Sequence, residues 1–259
     1  MSDLSKAAVA VKANPTMKDL VEQQLPAIER QLGGAMNSDA FVRAVLSEIT
    51  KQQKLMSADP KTVLGGVMLA AQLKLEIGSG LGEFYLTPRR EKGRDVCLPI
   101  IGYQGYVKLV LRSEMVLNVE AFLVREGDDF SYGASSDRGM FYDWQPRDFD
   151  EDRPWTGVVA SARMKGGGTT WVYLTRAQVL ARRPHYWDKG TPWQTHEEEM
   201  TKKTAVRALV KFLPKSTDLG RAIEADENKA SQVAGLDEVH IAPAEEEPET
   251  FVVEEEATS

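Results

Sequence analysis

Pro-Ile-Ile-Gly-Tyr-Gln-Gly-Tyr-Val-Lys-Leu-Val-Leu-Arg-Ser forms residues 99–113, where an apolar run typical of a strand turns into a segment of helical pattern spaced by glycines. At helical pitch from Gly102, the tyrosines and valines share one apolar face, while Lys108 and Arg112 lie one turn apart on the other. The segment places no acidic residue one turn from either cation. Because two such cations repel each other by roughly a few tenths of a kcal/mol, the pattern predicts that an anion binds there.

Three further residues of this segment are candidates for contact with that anion. Tyr103 and Tyr106 offer rings for stacking, and Gln104 lies beside the cations at the start of the helix. Free backbone N–H groups at a helix N-terminus favour phosphate, and Gly102 and Gly105 allow a ligand to approach them. The alternative is that the tyrosines are core residues and that the two cations are a solvated face.

A second helix with a narrow basic stripe is predicted near the end of the chain. Lys203, Arg207 and Lys211 follow one another at intervals of four residues, and apolar side chains fill most of the remaining circumference. Lys202 adds a cation beside this stripe. Glu199 lies one turn before Lys203 and offers it a partner, but no comparable acid serves the other two, so phosphate contact is the favoured interpretation.

Further cations stand near aromatic residues in predicted hairpins and loops. Arg89 and Arg90 lie on one hairpin, and Lys165 lies beside a triple glycine. Trp193 lies in the loop before the last helix. Single-stranded nucleic acid is held by such a combination, because phosphates need charge and a base of any sequence stacks on an aromatic ring, at about 1 to 3 kcal/mol each. The alternative for Trp193 is that it fixes its loop to the core.

The composition is that of a globular protein, since 259 residues with 42% hydrophobic side chains can form one large domain or two small ones. The single cysteine, Cys97, excludes an intrachain disulfide and a zinc site built from cysteines, and its apolar surroundings predict a buried side chain. No apolar stretch approaches the roughly 18 to 20 residues that span a bilayer, and the N-terminus lacks the apolar core of a signal peptide. A cytoplasmic protein without membrane contact is expected.

The net charge of −7 is unevenly distributed along the chain. Residues 218–259 carry 13 acidic residues against two cations, a local charge of −11, which leaves +4 for residues 1–217. This part of the chain is too charged and too poor in core-forming residues to fold alone, so residues 216–259 are predicted to be a disordered acidic tail. Such a tail solubilises the protein, docks a partner or competes with nucleic acid for the basic surface.

The hydrophobic pattern before the tail predicts an α+β fold, with N-terminal helices, a small mostly antiparallel sheet and packed helices. Helices are expected over residues 17–32 with a break near Pro26, 38–56, from Pro60 onward, 175–182, and 196–213 behind a capping box of Thr195 and Glu198. Strands are expected over residues 83–90, 94–101, 116–125, 158–164 and 169–174. Residues 133–155 are rich in Gly, Asp, Ser and Arg, and an exposed irregular excursion is expected there.

Catalytic machinery is not evident in the sequence. The acidic pairs Asp128 with Asp129 and Asp148 with Asp150 are candidates for Mg²⁺ in a nuclease, but both lie in turn-like segments, which favours solvated loop acids. The three histidines are too scattered for a metal site, and no phosphate-binding loop of the Gly-x-x-x-x-Gly-Lys-Ser/Thr type is present. An ATP-driven recombinase is therefore disfavoured, and the protein is expected not to be an enzyme.

Four segments in the same order resemble the RecT family of phage and prophage single-strand annealing proteins. Residues 99–113 resemble the family's Ile-Gly-Tyr-x-Gly motif, which opens a helix ending in Arg-Ser. Residues 60–87 resemble its alanine-rich helix, glycine loop and following strand, and residues 192–214 resemble its closing helix with a Met-x-Lys-Lys-Thr core. Residues 128–130 resemble its acidic-aromatic turn. The resemblance covers about residues 15–215.

The resemblance implies a protein that binds single-stranded DNA, holds the annealed duplex as an intermediate and works without ATP. It implies that no cofactor is required, with Mg²⁺ at most assisting annealing, and that the protein acts as a homo-oligomer, in rings or helical filaments. Its implied partners are a companion 5′ to 3′ exonuclease and a host single-strand binding protein. Residues 1–15 are then a flexible N-terminus, residues 16–215 the DNA-binding and oligomerisation domain, and residues 216–259 a partner-docking tail.

Two alternatives from other functional classes stay open. One is a passive protein that protects single-stranded DNA, and the other is a metal-dependent nuclease that uses the loop carboxylates. An annealing protein speeds duplex formation, a passive binder slows it, and a nuclease shortens the strands when Mg²⁺ is supplied.

Overall fold

Helices fill the first third of the fold, and capping residues explain where they begin. The computed structural model describes residues 15–78, 80, 82–148, 152–185, 187–188 and 191–227. Its first five helices are α1 (Met17–Gln23), α2 (Leu25–Leu32), α3 (Ser38–Lys51), α4 (Gln53–Met56) and α5 (Pro60–Leu73). Thr16 and Asp19 form a reciprocal capping box on α1. Asn37 and Asp59 accept backbone N–H groups at the starts of α3 and α5.

Two of the predicted helices are each divided in two. The first breaks at Gln24, so that Pro26 lies in the first turn of α2, where its missing N–H is not needed. The second stops at Gln52, whose extended backbone separates α3 from α4. The break near Pro26 is confirmed, whereas the single helix predicted for residues 38–56 is wrong.

The predicted hairpin follows, and it packs across α5. Strands β1 (Phe84–Glu91) and β2 (Arg94–Ile101) pair antiparallel around Lys92 and Gly93, whose positive φ angles of 47° and 83° suit a type I′ turn. A Cβ atom at Gly66 of α5 would lie 2.9 Å from a methyl carbon of Leu86 and 3.6 Å from the sulfur of Cys97, so the hairpin touches the helix backbone there. Cys97 is buried as predicted, and burial raises the pKa of its thiol to about 12.

A three-stranded antiparallel sheet in the order β3-β6-β7 forms the second half of the fold. The elements in this part are α6 (Tyr103–Leu111), β3 (Val116–Arg125), β4 (Asp129–Ser135), β5 (Gly139–Gln145), β6 (Trp155–Met164) and β7 (Thr169–Thr175). The central strand β6 is buried along most of its length, because other elements cover both faces of the sheet. The strands predicted over residues 116–125, 158–164 and 169–174 are confirmed.

The prediction of an irregular excursion over residues 133–155 is wrong, because β4 and β5 form a regular antiparallel hairpin across much of it. Gly, Asp and Ser obscure the strand pattern, whose main signal is a set of aromatic rings at alternate positions. Phe122 of β3 stacks on Trp144 with ring centroids 4.0 Å apart, and Phe130 packs on Tyr173 of β7 at 4.8 Å. The hairpin therefore covers the outer face of the sheet.

Helices close the described part of the chain. They are α7 (Arg176–Leu180), α8 (Pro192–Thr195), α9 (Glu197–Leu209) with a 3₁₀ turn (Val210–Phe212), and α10 (Thr217–Glu227). The predicted capping box on α9 is wrong, because His196 is the N-cap and Oγ1 of Thr195 lies 2.7 Å from its Nδ1. The predicted acidic tail also contains a helix, since α10 forms within it and packs on α5 and α6. Residues 1–14 and 228–259 lie outside the described residues.

The α+β prediction is confirmed, and one continuous core joins the N-terminal helices to the sheet. Helix α9 lies on β6 and its neighbours β3 and β7 and also touches α6, which brings the two predicted basic helices together. None of the helices described here has the length and apolar character that crossing a bilayer requires.

Candidate nucleic-acid interface

Helix α6 touches α9, and the start of α6 lies near Lys202 and Glu199 of α9. Tyr103 is half-buried there, and Gln104 beside it is exposed. Burial raises the pKa of the Tyr103 phenol, while the charge of Lys202 acts against this shift and that of Glu199 acts with it. Tyr103 and Lys202 are therefore neighbours, although the sequence places the lysine about a hundred residues away.

The glycines of the Ile-Gly-Tyr-Gln-Gly motif accommodate the protein's own backbone. The chain entering β1 crosses the start of α6, where Gly102 donates its N–H to the carbonyl oxygen of Glu83 at 2.8 Å. A Cβ atom at Gly102 would lie 1.9 Å from the carbonyl oxygen of Gly82, and one at Gly105 would lie 2.3 Å from that of Glu83. No side chain fits at either position, so the close approach that the glycines permit is made by the segment before β1.

Tyr106 is a core residue that is only 1% exposed. Its hydroxyl donates a 2.7 Å hydrogen bond to Oδ2 of Asp226 on α10. Burial raises the pKa of this phenol, and the negative charge of Asp226 raises it further, so the hydroxyl remains a neutral donor. The core alternative fits Tyr106, because no base can reach its ring in this structure.

Lys108 finds its acidic partner outside its own helix. Its Nζ lies 2.8 and 2.7 Å from the two carboxylate oxygens of Glu83. The Glu83 side chain is 5% exposed and also accepts the backbone N–H of Glu76 at 2.9 Å. A buried carboxylate needs such partners, because an unpaired charge is costly in the interior. The charge of Lys108 therefore has an internal role.

Arg112 caps the C-terminal end of α5. Its guanidinium donates 2.6 Å hydrogen bonds to the carbonyl oxygens of Leu73 and Lys74, where α5 ends in the left-handed conformation of Lys74. A cation at this position satisfies carbonyl groups that the helix leaves free. Asp218 of α10 lies 4.0 Å from the same guanidinium. The interactions that the structure gives Arg112 are thus also within the fold.

One carboxylate of α10 supplies the counter-charge for two residues of the basic stripe. Asp226 forms an ion pair with Arg207 through the oxygen that accepts the Tyr106 hydroxyl. Lys203 is partly buried, and this burial lowers its pKa to about 8, while Asp226 acts in the opposite direction. The predicted stripe is therefore present on the helix. Part of its positive charge is neutralised by Asp226 of α10, a helix that lies within the predicted tail.

Lys202 and Lys211, the other cations near this stripe, also interact within the fold. Lys202 forms an ion pair with Glu199 at 3.0 Å, so this acid serves Lys202, whereas the sequence suggested Lys203 as its partner. Lys211 is exposed near the end of the stripe and also interacts within the fold. Their contact with DNA stays a prediction.

The end of the β1–β2 hairpin, residues 89–95, is an exposed basic element that we call the hairpin tip. It carries four cations and two acids, namely Arg89, Arg90, Lys92, Arg94, Glu91 and Asp95. Arg90 donates to the carbonyl oxygen of Gly93 at 3.2 Å, and Arg89 lies 3.8 Å from Glu91. Sequence reasoning selected two of these arginines and missed Lys92 and Arg94, although the turn pattern around Lys92 was the signal that places them together.

Lys165 and Trp193 lie in contrasting environments. Lys165 is exposed in the turn between β6 and β7, where its backbone N–H donates to Met115. Trp193 is 5% exposed, and the guanidinium of Arg183 lies 5.0 Å from its ring centroid. The same guanidinium lies 4.9 Å from the ring of Trp187. The burial of Trp193 fits the interpretation that it fixes its loop to the core.

Among the acidic residues considered for a nuclease, Asp128 and Asp148 form contacts within the fold. Asp128 is 1% exposed and accepts bonds from Trp144 at 3.0 Å, from Arg153 at 2.9 Å and from two backbone N–H groups. Burial acts to raise its pKa, but these bonds outweigh it and lower the pKa to about 2. Asp148 pairs with Arg153 at 2.9 Å, and Asp150 lies outside the described residues. No group of three potential metal ligands occurs among the residues that the structure describes.

The partly buried charge of Lys203 predicts a pH-dependent stability. Because its pKa falls from 10.5 in a free lysine to about 8 in the fold, the unfolded chain binds the proton more tightly between these values. The contribution of Lys203 to the free energy of unfolding therefore rises as the pH increases from about 8 toward 10. We expect Lys203→Met to be more stable than the parent protein at about pH 7 and to lose this advantage at about pH 9.5 in urea unfolding.

The matched control for this prediction is Lys211→Met, which removes an exposed lysine from the same basic stripe. A stability difference between Lys203→Met and the parent that does not change with pH would contradict the burial of this charge.

Comparison with known proteins gives concordant matches over most of the chain. The model of the RecT family matches residues 39–241. The chain is 37% identical over 234 residues to Protein RecT of Escherichia coli K12, an alignment that covers 87% of this chain and 85% of that protein. It is 26% identical over 218 residues to the uncharacterized protein YqaK of Bacillus subtilis 168, covering 83% and 73% of the two chains. The family match includes every predicted contact residue, from Arg89 to Lys211.

Proposed function

The chain belongs to the RecT family, and we propose from this premise that it binds single-stranded DNA and anneals complementary strands in homologous recombination. The family match over residues 39–241 carries the proposal, because it covers both halves of the fold and the glycine motif between them. Annealing would need no ATP, since the sequence lacks a phosphate-binding loop. It would also need no cofactor, with Mg²⁺ only assisting by screening the two phosphate backbones.

The hairpin tip is the surface that we assign to the first contact with DNA. Its four cations lie at the exposed end of a hairpin that is anchored on α5, so they can approach a phosphate backbone without rearrangement of the core. Lys108, Arg112 and Arg207, by contrast, are engaged by Glu83, by α5 and by Asp226. Phosphate contact by exposed cations is independent of sequence, which suits a protein that must act on any pair of complementary strands.

A second contact is assigned to the predicted residues Tyr103, Gln104 and Lys202, where the start of α6 lies near α9. Cations at two places on one protein offset the repulsion between two phosphate backbones. The bases then remain free to pair, and Watson–Crick pairing, not protein contact, selects the partner strand. The protein would lower the barrier to pairing and would not break covalent bonds.

Larger assemblies and partners belong to the same proposal. Residues 16–215 would serve both DNA binding and assembly of a homo-oligomer in rings or helical filaments. A companion 5′ to 3′ exonuclease would expose the strand, and a host single-strand binding protein would deliver it, with the acidic C-terminal segment as the docking element. A protein with these activities would act in the cytoplasm.

Annealing of two complementary fluorescent oligonucleotides without ATP tests the proposal. We expect the protein to accelerate pairing, to leave the strands intact and to lose activity as salt increases, because phosphate contacts release counterions. The double variant Arg90→Ala with Arg94→Ala should lower the slope of log affinity against log salt by about 2, at about 1 per lost phosphate contact.

Arg43→Ala is the matched control, since it removes an exposed arginine from α3. Its salt slope should equal that of the parent protein. Slowed pairing would identify a passive binder, and shortened strands with Mg²⁺ would identify a nuclease. An unchanged slope in the double variant, with annealing intact, would overturn the assignment of the hairpin tip alone.

A further inference from the structure

The outer edge of β7 has no neighbouring strand among the described residues. β7 pairs with β6 on one side and ends the sheet on the other. Its sequence, Thr-Thr-Trp-Val-Tyr-Leu-Thr, contains no charge and no proline. Natural edge strands are normally protected by charged residues, prolines or bulges, because free N–H and C=O groups attract another strand. An unprotected edge of seven residues therefore suggests that a strand covers it.

This edge forms the floor of a groove with a volume of about 690 Å³, which all seven residues of β7 line. One wall is made by Tyr132 and Met140 of the β4–β5 hairpin, and the other by Ala208 and Phe212 at the end of α9. Three of these side chains are largely exposed, with Phe212 at 71%. An added strand would thus meet apolar side chains on both of its faces, in addition to the backbone groups of β7.

We infer that this groove binds the segment Phe251-Val252-Val253 of the protein's own C-terminal region as a fourth strand of the sheet. Addition of an extended peptide to a sheet edge is a recurrent mode of recognition, in which main-chain hydrogen bonds give affinity and side-chain pockets give specificity. β-Branched and aromatic residues favour the strand conformation that such addition needs. The inference does not depend on DNA binding.

The pattern of the segment matches the two-walled groove. Successive side chains of a strand point to opposite faces, so three consecutive apolar residues give it two apolar faces. The other apolar stretch in this region, Val239-His240-Ile241, places a histidine on one face and is the poorer match. The segment therefore fits a groove that is apolar on both sides.

The charge of the residues that flank this segment also fits the groove. Phe251-Val252-Val253 is followed by Glu254-Glu255-Glu256 and preceded by Glu249. Arg182 lines the groove, and no acidic side chain lines it among the described residues. The flanking carboxylates would meet this cation and no like charge among the described lining residues, which favours an acidic segment over a neutral or basic peptide.

The walls of the groove favour a free segment over a second copy of the protein. Met140 and Phe212 line the groove and are largely exposed, so they flank any strand that pairs with β7. The β7 edge of a second copy would bring the same two walls with it, whereas a free segment brings none. The 24 residues after Glu227 extend up to about 80 Å, so the segment can reach the groove from the end of α10.

Hydrogen exchange of the full-length protein without DNA tests the inference. The amides of β7 that do not face β6 should be protected in the parent protein. In the double variant Phe251→Ser with Val253→Ser, they should exchange about tenfold faster, which corresponds to about 1.4 kcal/mol. Phe212→Ser, which changes a residue in the wall of the groove, should accelerate exchange of the same amides. A synthetic peptide of residues 245–256, added to the Phe251 and Val253 variant, should restore protection.

The matched control is Val239→Ser with Ile241→Ser, which removes the other apolar stretch and should leave β7 protected. Equal exchange of the β7 amides in the parent protein and in all variants would overturn the inference. Protection that is lost on dilution and is insensitive to the Phe251 and Val253 changes would show that a second copy covers the edge, which would overturn it as well.

Discussion

Lys108→Met should lower the free energy of unfolding by about 3 kcal/mol, measured by urea denaturation. The change removes the partner that holds both carboxylate oxygens of Glu83 within 2.8 Å. Glu83 is buried and would keep only the N–H of Glu76 as a donor at 2.9 Å. Because Lys108 itself is 34% exposed, we place the effect at the lower end of the range for broken buried pairs.

The double variant Glu83→Gln with Lys108→Met should recover part of this loss, because no unpaired buried charge remains. Lys61→Met removes an exposed lysine from α5 and should change stability by less than about 0.5 kcal/mol. A Lys108→Met protein with full stability but weakened DNA binding would contradict the internal role and restore the prediction of phosphate contact.

Gly105→Ala should also destabilise the protein, by about 3 kcal/mol, with a corresponding fall in the denaturation midpoint. The added Cβ would lie 2.3 Å from the carbonyl oxygen of Glu83, and this backbone cannot move without displacing Gly102, whose N–H bonds to the same oxygen. Alanine is the better helix former of the two residues, so a loss of stability on this substitution isolates the steric effect.

Gly166→Ala is the matched control, since a Cβ atom there meets no atom within 4 Å. Its stability should stay within about 0.5 kcal/mol of the parent. If Gly105→Ala were as stable as Gly166→Ala, the segment before β1 could not lie against α6 as described.

The sequence predicts those helices and strands whose capping residues, turns or alternation lie within their own segment. The β1–β2 hairpin shows its alternation and its Lys-Gly turn within residues 84–101, and α5 shows Asp59 and Pro60 at its start. Thr175 caps α7 through a reciprocal bond with Gln178, three residues away in the same segment. Short-range hydrogen bonding and side-chain periodicity decide such elements, so tertiary contacts add little to them.

Elements that depend on distant packing were harder to predict. The β4–β5 hairpin is rich in residues that disfavour strands, and it is stabilised by rings such as Trp144 that stack on Phe122 of another strand. The start of α9 differs for a similar reason. Glu198, expected in a capping box, pairs with Arg125 of β3 at 2.8 Å instead. In both places the tertiary partner outweighs the local preference.

The candidate site shows the same limit. The sequence correctly marks α6 and α9 as basic helices, but the acids that pair with Lys108, Arg112 and Arg207 come from other elements. Glu83 is 25 residues from Lys108, and Asp226 is 120 residues from Tyr106. Spacing rules within a helix detect only partners three or four residues away. The acidic composition after Asp218 further hid the fact that α10 contributes to the fold.

The bond between Tyr106 and Asp226 has a consequence for the order of folding. It closes a loop of 120 residues, so α6 can pack on its neighbours long before α10 is available during synthesis. Until then, the buried hydroxyl of Tyr106 and the cation of Arg207 lack their acceptor. Docking of α10 should accordingly be a late step, and the nascent chain should pass through a stage in which α9 is already formed but Arg207 is not yet neutralised.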